Sequence, residues 1–395
     1  MPKNILTNSI LLPSLKLNYV YFKKQSWRKY LVEVDSNDAV CPRCANLSST
    51  GYDKRKVIIK DAPIRGVQIY LVITKKRYYC KTCRKPFTEQ VPGILPGKRT
   101  TQRFEKSVLW ACHNFKSLKD VRKAHRCSSD YVYRSFYKSL ARELKRHLNY
   151  PWPRTVGIDE HNFKKRKRYH GSQFVTVFTD HNKKRIREMA LGRSVDEVIP
   201  QVSHIEGREN VKEVVLDLCD PYKKLARHMF PEASIVADKF HVIRLFNPII
   251  NRHRKEITGD KRSNPVRKLL LRARRNLEYY EKSALDKWLN NHDDLKEIYF
   301  FKEAIMGFYR IKGAKRAQKI FTKITDRLAL SEVDDLKRIR RTLMKWRTEI
   351  LNYFPTKLTN ARTEGFNNLA KVVKRNSYGF KNFANYRLRV LNVAI

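Results

Sequence analysis

Residues 156–169 read VGIDEHNFKKRKRY: a short apolar run, two adjacent acids, then five consecutive basic residues from Lys164 to Arg168. The chain holds 85 Lys and Arg against 38 Asp and Glu, so two carboxylates side by side at the end of an apolar stretch are conspicuous. TVGID reads as a strand. The strand pattern returns in SQFVTVFTD, in RIREMALG after the polar turn DHNKKR, in the buried-type run VKEVVLDL and in SIVAD. PYKKLARHMF and the segment from KFHVIRLF read as helices interleaved with the last of these strands.

Three hairpin-type strands followed by alternating helix and strand predict a mixed α/β domain of ribonuclease-H type over residues 153–250. In that arrangement the first and fourth strands are neighbours. Asp159 and Asp217, at the ends of those strands, then meet at one sheet edge. Glu160 points to the opposite face of its strand and receives no catalytic role.

Working outward, composition sets the partner class. At 395 residues and 42% hydrophobic, with 20 Tyr and 19 Phe to fill cores, the chain is long enough for several packed domains and is not disordered by composition. A formal net charge of +47 repels itself, and a polyanion that releases counterions on binding relieves that repulsion, so nucleic acid is the expected partner. A solubilising surface or a ribosomal-type RNA binder is the blander reading. No stretch reaches the roughly 20 apolar residues of a membrane span, and the start of the chain has no signal-peptide pattern. A soluble, intracellular protein is expected.

Four of the seven cysteines form two pairs, Cys41/Cys44 in CPRC and Cys80/Cys83 in CKTC; Cys112, Cys127 and Cys219 stand alone. Each two-residue spacing lets both thiolates of a tight knuckle face one ion, and two knuckles complete a tetrahedral Zn²⁺ site. The intervening KVIIKDAPIRGVQIYLVITKKRYYC reads as strands around a turn, which delivers the second knuckle on a hairpin end. Residues 1–95 are thus read as a zinc ribbon. Disulfides or a redox pair are the alternatives.

Over residues 98–150 three helical patterns follow closely, TQRFEKSVLWACHNF, SLKDVRKAHR and SSDYVYRSFYKSLARELKRHL, with Ser117 and Ser128 at N-cap positions. The short turn near Cys127 suits a helix-turn-helix, whose last helix enters a major groove. Along it Tyr131, Arg134 and Lys138 fall on one face, the candidate DNA contacts, while Val132, Phe136 and Leu140 supply a packing face. A structural three-helix linker is the alternative.

Residues 251–354 turn helical, as an all-α insertion, with RKLLLRARRNLEYYEKSALDKWL, LKEIYFFKEAIMGFYRI and LKRIRRTLMKWRTEILNYF. Residues 355–395 resume the interrupted domain: LTNARTEGFNNLAKVVKR opens at Thr359 or Asn360 and sets Glu364, Asn368 and Lys371 along one helical face. Glu364 can return a third carboxylate to the site, with Glu349 in the preceding helix as the alternative.

GIDE at 157–160, VVLDLCDPYKK at 214–224, ADKFHVIR at 237–244 and NARTEGFNNLAKVVKRNSYGFKNFANYRLR at 360–389 resemble the signature blocks of DDE transposases of bacterial insertion sequences. The ISL-three group shares the order of zinc ribbon, helix-turn-helix and split catalytic domain. The resemblance implies Asp159, Asp217 and Glu364 as catalytic acids holding Mg²⁺ or Mn²⁺, and Asp238 with His241 as the acid-two-residues-histidine motif. It implies double-stranded DNA as partner, both terminal inverted repeats and target, a homodimer that joins two ends, and a bacterial cytoplasmic, nucleoid-associated location.

Two ions held by such acids activate a water or a DNA 3′-hydroxyl for in-line attack on phosphorus. Asp238 can instead cap the helix at KFHVIRLF, and His241 can be a core histidine; otherwise they support the acids. Lys371 joins the candidate DNA contacts. Trp288 and Trp346 are candidates for stacking on an extruded base, with core packing as the alternative. A DNA-binding regulator with a dead core, or a nuclease that cuts without joining, are the competing functions.

Overall fold

The computed structural model describes residues 19–26, 29–34, 36–64, 66–94, 96–115, 117–165, 172–259 and 265–394. Arg166, Lys167 and Arg168 of the basic block fall outside them. The chain divides into two compact units, Met1–Glu143 with Asn376–Gly379, and Leu144–Arg375 with Phe380–Ile395. No helix among the described residues is long and apolar enough to cross a membrane.

The first unit begins with strands β1 (Tyr19–Ser26), β2 (Lys29–Val34), β3 (Ala39–Val40), β4 (Leu47–Ser48), β5 (Gly51–Ile64), β6 (Val67–Cys80) and β7 (Lys85–Thr88). The long β5–β6 hairpin turns at Gly66, whose φ of 76° is open to glycine without steric cost. Alternation in VQIYLVI puts Ile69, Leu71 and Ile73 inside with Ile59, Val91 and Ile94. Helices α1 (Gln102–Asn114), α2 (Leu118–His125) and α3 (Ser129–His147) follow.

Ser117 Oγ accepts from Asp120 N and Ser128 Oγ from Tyr131 N, so both serines cap the helices read from the sequence. Val132, Phe136 and Leu140 are buried as the packing face. Asp61 on β5, fully buried, accepts from Thr101 Oγ1 at 2.7 Å and from the Arg103 guanidinium, which ties the sheet to the start of α1 within this unit.

The second unit is built on strands β8 (Thr155–Lys165), β9 (Ser172–Asp180), β10 (Arg185–Leu191), β11 (Glu213–Leu216) and β12 (Ser234–Ala237), in the sheet order β10-β9-β8-β11-β12. The first three run antiparallel, and β11 is parallel to both β8 and β12. All five strand patterns of the sequence are present. A helix at Val195–Val202 was not foreseen: it is short, and Pro200 lies inside it. Helices α4 (Val195–Val202), α5 (Asp220–Met229), α6 (Lys239–Arg244) and α7 (Phe246–Thr258) are followed by α8 (Pro265–Leu271) and α9 (Tyr279–Leu289).

The sequence reading ran α8 and α9 together. The basic run between them has little to bury, and Arg274 instead leaves the helix to pair with both Asp286 oxygens at 2.6 Å. Helices α10 (Asp293–Phe308), α11 (Ala314–Ala329), α12 (Asp334–Lys345), α13 (Arg347–Leu351) and α14 (Tyr353–Thr356) complete the helical stretch, and α15 (Ala361–Asn376) and α16 (Phe383–Val393) close the chain.

Both sheet faces are covered. Val156, Ile158 and Phe178 join one cluster that continues through Leu285, Ile305 and Leu343 to Phe354, so the helical stretch shares a core with the sheet. On the other face Phe163, Val175 and Val177 pack with Ala370, Val373, Tyr386 and Val390 of α15 and α16. The period of two along β8 therefore sends Gly157, Asp159, His161 and Phe163 toward α15 and α16.

Candidate active site

β11 pairs with β8 only as far as Leu216 beside Ile158, and the next residues on the two strands are Asp217 and Asp159. Asp159 does not end its strand as expected: β8 runs on to Lys165, paired with β9 alone, and it is the pairing with β11 that stops at the acids. Burial, and then the charge of Asp217, push the Asp159 carboxyl up to about 6. Its Oδ1 accepts from the Glu160 backbone at 2.7 Å and its Oδ2 from Asn367 Nδ2 at 2.6 Å. Glu160 lies on the other face, as expected, where Tyr222 of α5 donates to it.

Asp217 accepts from Asn360 Nδ2 at 3.2 Å, and its other oxygen lies 3.0 Å from His241 Nε2. His241 Nδ1 is 3.2 Å from Asp238, whose remaining oxygen accepts from the Asn360 backbone at 3.0 Å. Asp238 occupies the N-cap position of α6, yet its carboxylate caps no N–H of that helix. Burial opposes a charge on His241, but the hydrogen bonds to Asp217 and Asp238 outweigh it and raise the imidazole to about 10. These three side chains approach one another closely enough to suggest a metal cluster. Each imidazole nitrogen faces a carboxylate oxygen, Nε2 that of Asp217 and Nδ1 that of Asp238.

Helix α15 crosses this edge with Asn360, Thr363 and Asn367 buried against it. Asn360 also donates to the Ile158 carbonyl at 3.1 Å. Close approach is possible because residue 157 is glycine: a Cβ there would stand 2.3 Å from Thr363 Oγ1 and 2.4 Å from Thr179 Oγ1. Glu364 is four residues after Asn360 and three before Asn367, on the same helical stripe as the two amides that touch Asp217 and Asp159. Its side chain is half exposed, with Arg244 Nη1 3.9 Å away. Glu349 is withdrawn as an alternative third acid, because it is buried and paired with Lys223 at 2.6 Å and Arg227 at 3.4 Å. Asn360 entered the sequence reading only as a cap, and Asn367, His161 and Tyr386 did not enter it. Their signal was spacing: Asn360 and Asn367 flank Glu364 at helical intervals, and His161 is two residues from Asp159 on a strand.

In the first unit, Cys41 and Cys44 lie between β3 and β4, Cys80 ends β6 and Cys83 lies in the turn from β6 to β7. The four sulfurs lie within 4.8 Å of one another, with 4.0 Å between Cys41 and Cys83 and 3.6 Å between Cys44 and Cys80. Tetrahedral zinc with Zn–S near 2.3 Å needs sulfurs about 3.8 Å apart, so the cluster fits one ion. Backbone N–H groups of Arg43 and Cys44 bring the Cys41 thiol down to about 7, while Cys83, held by its hydrogen bond with Cys44, is pushed up to about 12. Full ionisation of the four requires a cation among them.

Arg134 and Lys138 are exposed on α3, Arg134 paired with Asp130. Tyr131 lies at the same angle around the helix but is half buried. It is the neighbour of buried Val132, its ring packs 6.0 Å from Phe104, and burial pushes its hydroxyl up to about 12. Lys371 is exposed on α15. Trp346 is a core residue, 2% exposed beneath Lys223, and is not available for a base; Trp288 packs against the same core and lies beside His292.

Comparison with known proteins adds to this geometry. The family model of ISL3-group DDE transposases, described as "Transposase", matches residues 156–390, more than half of the chain. A second, described as "zinc-finger of transposase IS204/IS1001/IS1096/IS1165", matches residues 38–83, which hold all four cysteines of the cluster. The transposase for insertion sequence element IS1001 of Bordetella parapertussis is 22% identical over 364 residues, covering 89% of this chain and 87% of that protein. An ATP-dependent protease of Lactococcus lactis subsp. lactis is 37% identical over 68 residues, only 17% of this chain and 21% of the relative. A match that short carries no argument about proteolysis. The two family matches and the near full-length relative agree with the acids at the sheet edge and the four-cysteine cluster: the chain belongs to the ISL3-group DDE transposases.

Proposed function

We propose that this transposase cleaves and joins DNA with Asp159, Asp217 and Glu364, on a ribonuclease-H-like domain formed by residues 153–250 and 355–395 around the helical insertion at 251–354. The observation that carries the reading is the pairing of Leu216 with Ile158, which makes Asp217 and Asp159 adjacent at the point where two parallel strands part. The sheet order, three antiparallel strands followed by two parallel ones, supports the fold assignment. Glu364 shares a helical stripe with the amides that touch both aspartates, and supplies the third acid.

All three donors are carboxylate oxygens, which suits Mg²⁺ or Mn²⁺. Asp159, Asp217 and Glu364 would hold such an ion, which would supply activation of a water or 3′-hydroxyl and stabilisation of the leaving oxygen. The chain's own side chains then have separate tasks. Asn360 and Asn367 fix the two aspartates, and His241 links Asp217 to Asp238 through its two ring nitrogens.

The DNA reading assigns the zinc ribbon of residues 1–95 and a helix-turn-helix at 98–150 to the terminal inverted repeats, with Arg134 and Lys138 as contacts and Lys371 on the scissile strand. Tyr131 is assigned to packing. Two ends must be joined, so the working form is a homodimer in the bacterial cytoplasm, on the nucleoid. The test is incubation of the full chain and Mg²⁺ with labelled duplex carrying the element's inverted repeat and an unlabelled target. Cleaved ends and covalent joint products are expected. Cleavage without joint products would favour the nuclease, and binding alone would favour the regulator.

A further inference from the structure

Beyond the acids, the second unit buries a connected group of polar side chains next to Asp159. Asn367, His161 and Tyr386 are 2%, 4% and 0% exposed, and lie on α15, β8 and α16 respectively. Polar groups this deep cost stability unless each is hydrogen-bonded, and here each is.

Their directions are fixed in turn. Asn367 Nδ2 has two protons and two acceptors, Asp159 Oδ2 at 2.6 Å and the Glu160 carbonyl at 3.2 Å. The reverse amide orientation would set its oxygen against both, so Oδ1 must face His161 Nδ1, 3.0 Å away. That contact requires the proton on Nδ1, and in the neutral imidazole, the form that burial among apolar side chains favours, Nε2 is then an acceptor. The Tyr386 hydroxyl, 2.7 Å from Nε2, therefore donates to it, although the Ala370 carbonyl is also within 3.2 Å. Phe163 stacks on the Tyr386 ring with centroids 5.3 Å apart and holds the phenol in line.

We propose that Tyr386, His161 and Asn367 form a positioning chain for the transposition reaction: three hydrogen bonds of fixed direction that hold the Asp159 carboxylate in the orientation it needs to receive a divalent cation. The three are positioning residues and touch neither DNA nor ion. The inference rests on the reading of Asp159 as a catalytic acid.

The experiment uses the full chain with Tyr386→Phe, Asn367→Leu, the double variant and Asp159→Ala. Tyr386→Phe keeps the ring and its packing, so it remains informative should Asn367→Leu fold poorly. Four quantities are read: Mn²⁺ affinity by calorimetry without DNA, single-turnover cleavage of an inverted-repeat duplex, affinity for that duplex, and the His161 tautomer by ¹⁵N NMR of labelled imidazole.

Asn367→Leu is expected to slow cleavage about 10–100-fold and to weaken Mn²⁺ binding, with duplex affinity unchanged. Tyr386→Phe is expected to slow cleavage about 2–10-fold, the equivalent of one neutral hydrogen bond, and to move the imidazole signal away from the pure Nδ1–H form. In the double variant Tyr386→Phe should add nothing, because the chain is already cut. Independent, multiplying effects, or normal Mn²⁺ affinity and cleavage in both folded single variants, would overturn the proposal. Asp159→Ala separates the two layers: if it cleaves normally the assignment of the acid itself fails, whereas if it is inactive while the single variants are normal, only the positioning chain fails.

Discussion

Asn367 donates its side-chain amide to the Asp159 carboxylate across 2.6 Å, although the two residues are 208 positions apart. The whole helical stretch intervenes between them in sequence. A chain that must return over that distance to finish one site needs a local device to seat the returning helix, and the device is a glycine. With no Cβ at residue 157, Thr363 and Thr179 come within 2.7 Å of each other over the strand.

Gly157→Ala should therefore displace α15 or strain its N-terminal turn. Overpacking of this kind costs about 1–3 kcal/mol, so a lowered melting temperature is expected together with a loss of cleavage larger than the loss of stability alone explains. Differential scanning calorimetry and a cleavage assay on one preparation check it; wild-type behaviour in both would mean the helix is seated by other contacts.

The start of β8, TVGID, was legible in the sequence, as were the four zinc ligands and the other four strands of the second unit, because short apolar runs and paired cysteines are local signals. The partners Asn360, Asn367 and Tyr386 were not. Each makes its contact across the chain, and an asparagine on a helix carries no local mark of what it touches. Spacing likewise gives an angle around a helix but not the neighbour that fills the adjoining space, which for Tyr131 is Phe104. Asp159 was placed at a strand end because apolar character stops there, whereas β8 continues on pairing with β9 alone.

Zinc should be present at about one ion per chain in the purified protein. Strong chelation, or Cys41→Ser or Cys80→Ser, should unfold the first unit's knuckles and lower affinity for inverted-repeat DNA. Metal analysis by atomic absorption and circular dichroism before and after chelation test this; unaltered folding without zinc would contradict the fit of the four sulfurs.

Stability should fall below neutral pH because of His181. Burial, then the charge of Arg362, hold its imidazole down at about 4 in the folded chain, with Asp180 acting the other way, and its buried Nε2 has no hydrogen-bond partner among the described residues. The unfolded chain takes up this proton near 6.5, so the folded state is at full advantage above that pH and loses it as pH falls toward 4, by up to about 1.4 kcal/mol per unit. Denaturant titrations from pH 7 to 4.5 should give a shallower decline for His181→Asn than for the wild type. Identical slopes would show that His181 protonates as readily folded as unfolded.

On α3, Arg134→Ala and Lys138→Ala should weaken DNA binding in different ways. If Arg134 meets a base edge, preference for the element's end falls by about 1–3 kcal/mol; if Lys138 meets a phosphate, all sequences lose affinity alike and the salt dependence becomes shallower. Fluorescence anisotropy with specific and random duplexes across a salt series distinguishes them, and unchanged binding in both variants would leave α3 as scaffold.

Of the three proposed acids, Asp159 and Asp217 are each held by an asparagine amide, whereas Glu364 is placed by helix geometry. The most direct test is the rate of Mg²⁺-dependent strand cleavage by Glu364→Ala on inverted-repeat DNA, measured on protein shown to bind that DNA normally. Cleavage should be abolished, as with Asp159→Ala and Asp217→Ala. Cleavage by Glu364→Ala at the wild-type rate would contradict the three-acid site.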